Sequence, residues 1–332
     1  MYKVVLDVMG GDLAPSSTLQ GAELALQSFP ELHLYLVGKE SVLKDWKRKE
    51  RVSLCYAEEV VKMEETPKNA LKKKNSSIFK GLELLKNGKA QAFVSAGNSG
   101  AIVAGAIFTL GRLEGVRRPA IATLIPTLKE PFVLIDAGAN VDSKPFDLFQ
   151  FGLMGSIFLE KVWKRKNPKI ALLSIGEETG KGNTLVKKTH QLFTNSQLNY
   201  VGNIESKDIF WGDVDVVVCD GFIGNICLKL SEGLAEVILE MLKNEVKNSF
   251  IYLLGMRLAK GAIKNFRKKA DWREYGGAPL LGVKGNVIIA HGRSDPKAIK
   301  NAIKVAINFI KFNLIEQLET AITKTLEVEE KK

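Results

Sequence analysis

Glycines, asparagines, acids and hydroxyls gather at the ends of four short apolar runs. The stretches are AFVSAGNSGA (92–101), VLIDAGANVD (133–142), ALLSIGEETGKGN (171–183) and VVVCDGFIGN (216–225). Each run is apolar over only four or five residues, as expected of a strand buried on both faces. Glycines just beyond it let the backbone approach a ligand, and a helix starting there aims free N–H groups outward. On one open α/β sheet such loops are expected to meet at the carboxyl edge of the strands. The chemistry indicated is the holding of a phosphate-like anion. Asn98, Asn140, Asn183 and Asn225 supply neutral donors, and Lys144, Lys181, His291 and the KKKNSS stretch (72–77) supply charge. Lys181, flanked by glycines, suits the role better than the lysines at 72–74, which read as solvated.

Other chemistries find less support. The MGGD loop (9–12) lacks the G-x-G-x-x-G spacing of a dinucleotide site, and GEETGKGN lacks the spacing of a nucleotide P-loop. No G-x-S-x-G elbow is present, and three histidines (His33, His190, His291) are too scattered for a triad or a zinc site. Cys219 ends a strand beside Asp220, where cysteine more often serves as a small buried hydrophobe than as a nucleophile. Asp136, Asp142, Glu177, Glu178 and Asp220 match no metal motif, and helix capping explains several of them equally well. No metal and no cofactor are expected.

The elements that position these loops alternate. Strands are expected at 3–8, 32–37, 92–95, 120–125, 132–136, 169–174, 214–219 and near 280–290. Helices are expected at 17–28, 40–49, 68–87, 99–110, 144–164, 182–194, within 224–269 and from Pro296. This pattern predicts a three-layer α/β fold, a mostly parallel sheet with helices on both faces, in one unit over 1–332. The charged tail from about 320 is expected to fray. Residues 90–111 carry no charge, but four glycines together with Ser95, Asn98 and Ser99 make them strand, turn and buried helix rather than a membrane span. The N-terminus runs directly into a strand, so no signal peptide is expected. Three cysteines without pairing pattern suit a reducing, cytoplasmic location.

A net charge of +11 favours polyanionic partners. Much of it is local: from Lys243 to Arg273 nine lysines or arginines face two acids. Within 231–272 a hairpin carries the apolar stripe Leu234, Val237, Ile238, Met241, Leu242 and Val246, then an uncharged tip, FIYLLGM (250–256), then a second amphipathic helix. Arg257, Lys260, Lys264, Arg267 and Lys268 occupy one face of that helix. A membrane-surface element, with Leu253, Leu254 and Leu258 at the lipid, and a dimer or core contact are both consistent with it. Nucleic acid is disfavoured, because the basic stretch lacks interleaved stacking aromatics.

DVMGGDLAP (7–15), KKKNSSI (72–78), VSAGNSGA (94–101), DAGANVD (136–142), SIGEETGKGN (174–183), CDGFIGN (219–225), GGAPLLGVKG (276–285) and AHGRSDPKAIKNAI (290–303) follow one another in that order. Together they resemble the bacterial fatty acyl–acyl carrier protein:phosphate acyltransferases of phospholipid synthesis, from residue 3 to about 310. Ser99 stands where threonine is frequent, and Ala290 where glycine is frequent. The resemblance implies an isocitrate/isopropylmalate-dehydrogenase-like fold related to phosphotransacetylases, a homodimer, and a peripheral membrane enzyme at the inner face. Its implied reaction moves a long acyl chain from acyl carrier protein to inorganic phosphate, and the acyl phosphate feeds a membrane glycerol-3-phosphate acyltransferase. A phosphotransacetylase-like acyl-CoA enzyme is the alternative.

On this reading the candidate catalytic residues are Lys181, Asn183, Asn225 and His291. Candidate substrate-binding positions are Gly10, Gly11 and Asp12; Ser95, Gly97, Asn98, Ser99 and Gly100; Asp136 and Asn140; Gly176, Glu177 and Gly182; and Asp220, Gly221 and Gly224. Phosphate oxygen would attack the thioester directly, with loop amides stabilising the oxyanion and His291 or Asp12 steering a proton.

Overall fold

The structure, a computed structural model, describes residues 1–47 and 49–329. Strands are β1 (Tyr2–Asp7), β2 (Leu32–Gly38), β3 (Val52–Tyr56), β4 (Ala92–Ser95), β5 (Ala120–Ile125), β6 (Phe132–Ile135), β7 (Ile170–Ser174), β8 (Tyr200–Glu205), β9 (Val216–Val218), β10 (Ala278–Leu281) and β11 (Asn286–Ile289). Helices are α1 (Ser16–Ser28), α2 (Glu40–Leu43), α3 (Pro67–Ala70), α4 (Ser77–Lys86), α5 (Ser99–Thr109), α6 (Pro145–Val162), α7 (Thr184–Thr194), α8 (Gly221–Lys247), α9 (Phe250–Leu258), α10 (Lys260–Ala270), α11 (Pro296–Lys311) and α12 (Leu314–Glu329).

Among the described residues these eleven strands form one sheet, in the order β3-β2-β1-β4-β11-β10-β5-β6-β9-β7-β8. The expected α/β class, a mostly parallel sheet covered on both faces, is what the chain adopts. Alternate residues serve opposite faces: Val4 and Leu6 join one core with α1, α6 and α11, while Val5 packs with α4 and α5. In the second half Val133 and Ile135 join the first core, and Phe132 and Leu134 face a third cluster that includes α8 residues Cys227 and Leu228. Burial on both faces is why these strands read as unbroken apolar runs.

The sheet changes direction in the middle. β10 is antiparallel to both β11 and β5, and β5 is antiparallel to β6. The block β3-β2-β1-β4-β11 therefore runs opposite to the block β6-β9-β7-β8. A twist of about 20–25° per step accumulates to about 120–150° over the six steps from β1 to β9, which largely undoes that reversal. Loops after strands of both blocks can then face a common space.

Several expected elements differ. The helix anticipated over 68–87 is two, α3 and α4. Between them the chain turns so that the Ser77 N–H reaches the Glu59 carbonyl and Lys73 pairs with Glu65 at 2.6 Å. The helix expected over 40–49 is only α2 and a short 3₁₀ turn over Lys44–Trp46. β3 and β8, both edge strands, escaped notice because edges are only half-buried and lack a continuous apolar run. The hairpin's tip is itself helical, α9, so the segment holds three helices rather than two. Where fraying is expected from about 320, α12 continues to Glu329 and buries Ile322; residues 330–332 lie outside the described residues.

Candidate active site

A cavity of about 580 Å³ opens beside the β10–β11 strands, within the about 300–1,000 Å³ usual for small-molecule sites. Three of the four glycine-ended loops reach it. Gly97 and Ser99 follow β4, Gly138 follows β6, and Asn225 lies on α8 after β9; Asp12 and His291 join from the loops after β1 and β11. Strands of both blocks thus contribute.

The loops are held by two buried carboxyl groups. Asp7, absent from the candidates, is fully buried at the end of β1. Its Oδ2 accepts from Ser95 Oγ at 2.7 Å, its Oδ1 accepts from the Met9 N–H at 3.0 Å, and Ser95 Oγ accepts from the Gly97 N–H at 3.0 Å. A Cβ at Gly10 would lie 2.6 Å from Asp7 Oδ2 and 2.7 Å from the Gly97 nitrogen. Gly10 and Ser95 therefore join the two loops, and neither lines the cavity. Burial pushes the Asp7 carboxyl up, while the Ser95 and backbone hydrogen bonds pull it the other way.

Asp136 does the same for the second half. Oδ1 accepts from the N–H groups of Ile121, Gly138 and Ala139 at 2.9–3.1 Å, and Oδ2 from the Asn140 N–H and Nδ2, each at 2.8 Å. Asn140 also donates to the Pro119 carbonyl at 2.7 Å. Desolvation raises the Asp136 carboxyl and these donors counter it. The start of α8 presses directly on this loop: a Cβ at Gly221 would lie 2.5 Å from the Asn140 carbonyl oxygen, and one at Gly224 would fall on that of Asp136. Close approach by these two glycines is what places Asn225 at the cavity wall, where its Nδ2 reaches the Ala137 carbonyl at 3.4 Å.

Other candidates serve as caps. Asn98 Oδ1 accepts from the Ala101 N–H at 2.9 Å, and its Nδ2 donates to the Met63 and Glu65 carbonyls at 2.8 Å. Asp220 accepts from the Phe222 and Ile223 N–H groups, both at 3.0 Å. Gly11 packs on Ala96 and the Gly292 carbonyl, and Gly100 on Pro67. Cys219 is fully buried and its thiol is pushed well above the usual range, chiefly by burial, the opposite of an activated thiolate.

The fourth loop stands apart. β7 lies beyond β9 towards the sheet edge, so Gly176, Glu177, Lys181, Gly182 and Asn183 do not line the cavity within one chain. Asn183 caps α7, accepting from the Val186 N–H at 2.9 Å, and Lys181 is exposed.

At the rim His291 Nδ1 accepts from the Arg293 N–H at 3.1 Å, which leaves the proton of a neutral ring on Nε2, 3.4 Å from Glu232 Oε2. Arg293 pairs with Glu236 at 3.3 Å. Glu232 and Glu236, one turn apart on α8, thus face two groups of the loop after β11. Lys229 of α8 completes the charged set. Sequence reading missed Asp7, Lys229, Glu232 and Arg293; the four-residue spacing of the two glutamates was the one local signal, and nothing in it names His291 as the partner.

The family model described as "Fatty acid synthesis protein" matches residues 2–317. A phosphate acyltransferase of Thermodesulfovibrio yellowstonii is 50% identical over 335 residues, covering 99% of this chain and 97% of the relative. Among solved structures, a branched-chain phosphotransacylase from Enterococcus faecalis superposes with a TM-score of 0.58 at 14% identity, covering 93% of this chain and 100% of the other. A 4-hydroxythreonine-4-phosphate dehydrogenase from Klebsiella pneumoniae gives 0.53 at 13% identity, covering 92% and 99%. These two share the fold.

Proposed function

Because the chain belongs to the phosphate acyltransferase family, we propose that it transfers a long-chain acyl group from acyl carrier protein to inorganic phosphate, giving acyl phosphate for phospholipid synthesis. The observation that carries this reading is one cavity with two characters. Its mouth holds Asp12, Ser99, Asn225, Lys229 and His291, and the space continues between apolar residues of α6, α11, β5 and β10. An anion and an alkyl chain need those two environments side by side.

Phosphate sits over the first turn of α5, where Ser99 and unpaired helix N–H groups favour an anion, with Lys229 as point charge. Asn225 polarises the thioester carbonyl. A phosphate oxygen bonds to the carbonyl carbon, the oxyanion forms beside Asn225, and its collapse breaks the C–S bond. The hydroxyl proton of hydrogen phosphate ends on the carrier thiol, with His291 or Asp12 as the relay. Phosphate-dependent release of free carrier from its palmitoyl form, with the product trapped by hydroxylamine, tests this; release without phosphate dependence overturns it. Comparing palmitoyl-CoA as donor decides against or for the acyl-CoA alternative.

The hairpin supports a peripheral membrane role at the inner face of the membrane, with a membrane glycerol-3-phosphate acyltransferase as consumer of the product. No helix among the described residues is long and apolar enough to cross a bilayer. In α9 no residue is buried, and Phe250, Ile251 and Leu258 are 75–83% exposed. Lys260 and Lys264 stand exposed beside them, whereas the side chains of Arg267 and Lys268 lie outside the described residues. Charged replacements at Leu253 and Leu254 are expected to abolish binding to anionic vesicles while sparing turnover in solution. Equal loss of both would make the tip part of the homodimer contact.

A further inference from the structure

We infer that the apolar limb of the cavity holds the alkyl chain of the acyl donor, and that Val162, Trp163 and Val305 set the length it accepts. The inference rests on the acyl transfer proposed above and locates its chain. From the polar mouth the cavity runs past Leu124 and Pro279 to Phe158, Val162 and Trp163 at the end of α6, facing Val305 on α11.

Residues 158 and 162 are one helical turn apart and share a face. That face cannot easily retreat. Thirteen of the eighteen residues of α6 are buried, and Phe158 itself packs on Phe309 with ring centroids 5.5 Å apart. A close-packed wall resists swelling, so the space it bounds measures whatever enters.

The alternative occupant, the carrier's pantetheine arm, carries amides that lose free energy when buried without partners. Along this limb Thr123, Tyr275 and Asn308 are the polar side chains, too few to partner the amides of a pantetheine arm, and the other side chains are aliphatic or aromatic. An alkyl chain asks for no hydrogen bonds and fits such a lining. Trp163, at the C-terminal cap of α6, is 38% exposed and stands at the outer lip. Phe158, fully buried, stands inside. A chain that ends before Trp163 is wholly desolvated; a longer one must emerge.

Two measurements test this. Val305→Phe narrows the limb, so the ratio of kcat/KM for palmitoyl over octanoyl carrier protein is expected to fall by about tenfold or more. Val162→Phe, on the opposite wall, is expected to move the ratio the same way. An unchanged ratio in both folded variants, or equal loss on both donors, overturns the assignment. Separately, a palmitoyl phosphonate brominated near its methyl end is expected to quench the tryptophan emission of the wild type, and most of that quenching should vanish in Trp163→Phe. Quenching that persists in Trp163→Phe overturns the placement. The probe needs no turnover: quenching as expected in a protein without phosphate-dependent transfer would keep the chain site and remove the reaction instead.

Discussion

Two loops of nearly the same composition have opposite fates. DAGAN (136–140) and GEETGKGN (176–183) each follow a buried strand of the same parallel block, and each mixes glycine, asparagine and an acid. The first wraps a carboxylate with no solvent exposure that accepts five N–H donors, and it is pinned beneath α8. The second is exposed over residues 177–181, its asparagine capping α7. What separates them is the place of the strand: β6 borders the middle of the sheet and β7 lies towards its edge. Loop chemistry states what a site could do, and strand order decides whether it is there to do it.

Substitutions can break that contrast. Asp136→Ala leaves several buried N–H groups unpaired, and a loss of about 3–5 kcal/mol in unfolding free energy is expected by denaturant titration; a loss below 1 kcal/mol would mean that water replaces the carboxylate freely. Asn225→Ala is expected to lower kcat by about 10²–10³ with the melting temperature little changed, since its hydrogen bond to the Ala137 carbonyl is long at 3.4 Å. Asn183→Ala removes a helix cap and should cost about 1 kcal/mol of stability while kcat stays near that of the parent. Lys181→Ala is expected to change neither quantity measurably. A strong fall in turnover there would bring a partner's loop into the cavity and end the contrast.

Much of this was legible from residues alone. Apolar runs such as VVV (216–218) and AFVS (92–95) announce strands buried on both faces, and glycine-rich ends announce the loops. Helix starts at Asn98, Asn183, Asp220 and Asp295 follow from capping chemistry, and all four side chains accept first-turn N–H groups. The same capping bears on how Asn98, Asn183 and Asp220 read in the sequence: a cap and an anion-binding side chain look alike in one dimension. Asp7 was hidden in the reverse way, because a buried acid needs its partner Ser95, eighty-eight residues distant, before it makes sense. Reversal of the sheet at β10 depends on pairings between residues 120–121 and 280–281, which no local pattern encodes.

α8 links the cavity to the apolar tip as one uninterrupted rod. From Asn225 to Lys247 it climbs about 33 Å at 1.5 Å per residue. A surface gripped by α9 therefore stands up to that height above the mouth. A small domain of about one hundred residues, with a radius of gyration near 13 Å, is about as wide. If α9 grips a membrane and the donor is protein-borne, as proposed above, the helix length would act as a spacer that leaves the donor standing room, where a shorter stalk would press the mouth against lipid and shut it out.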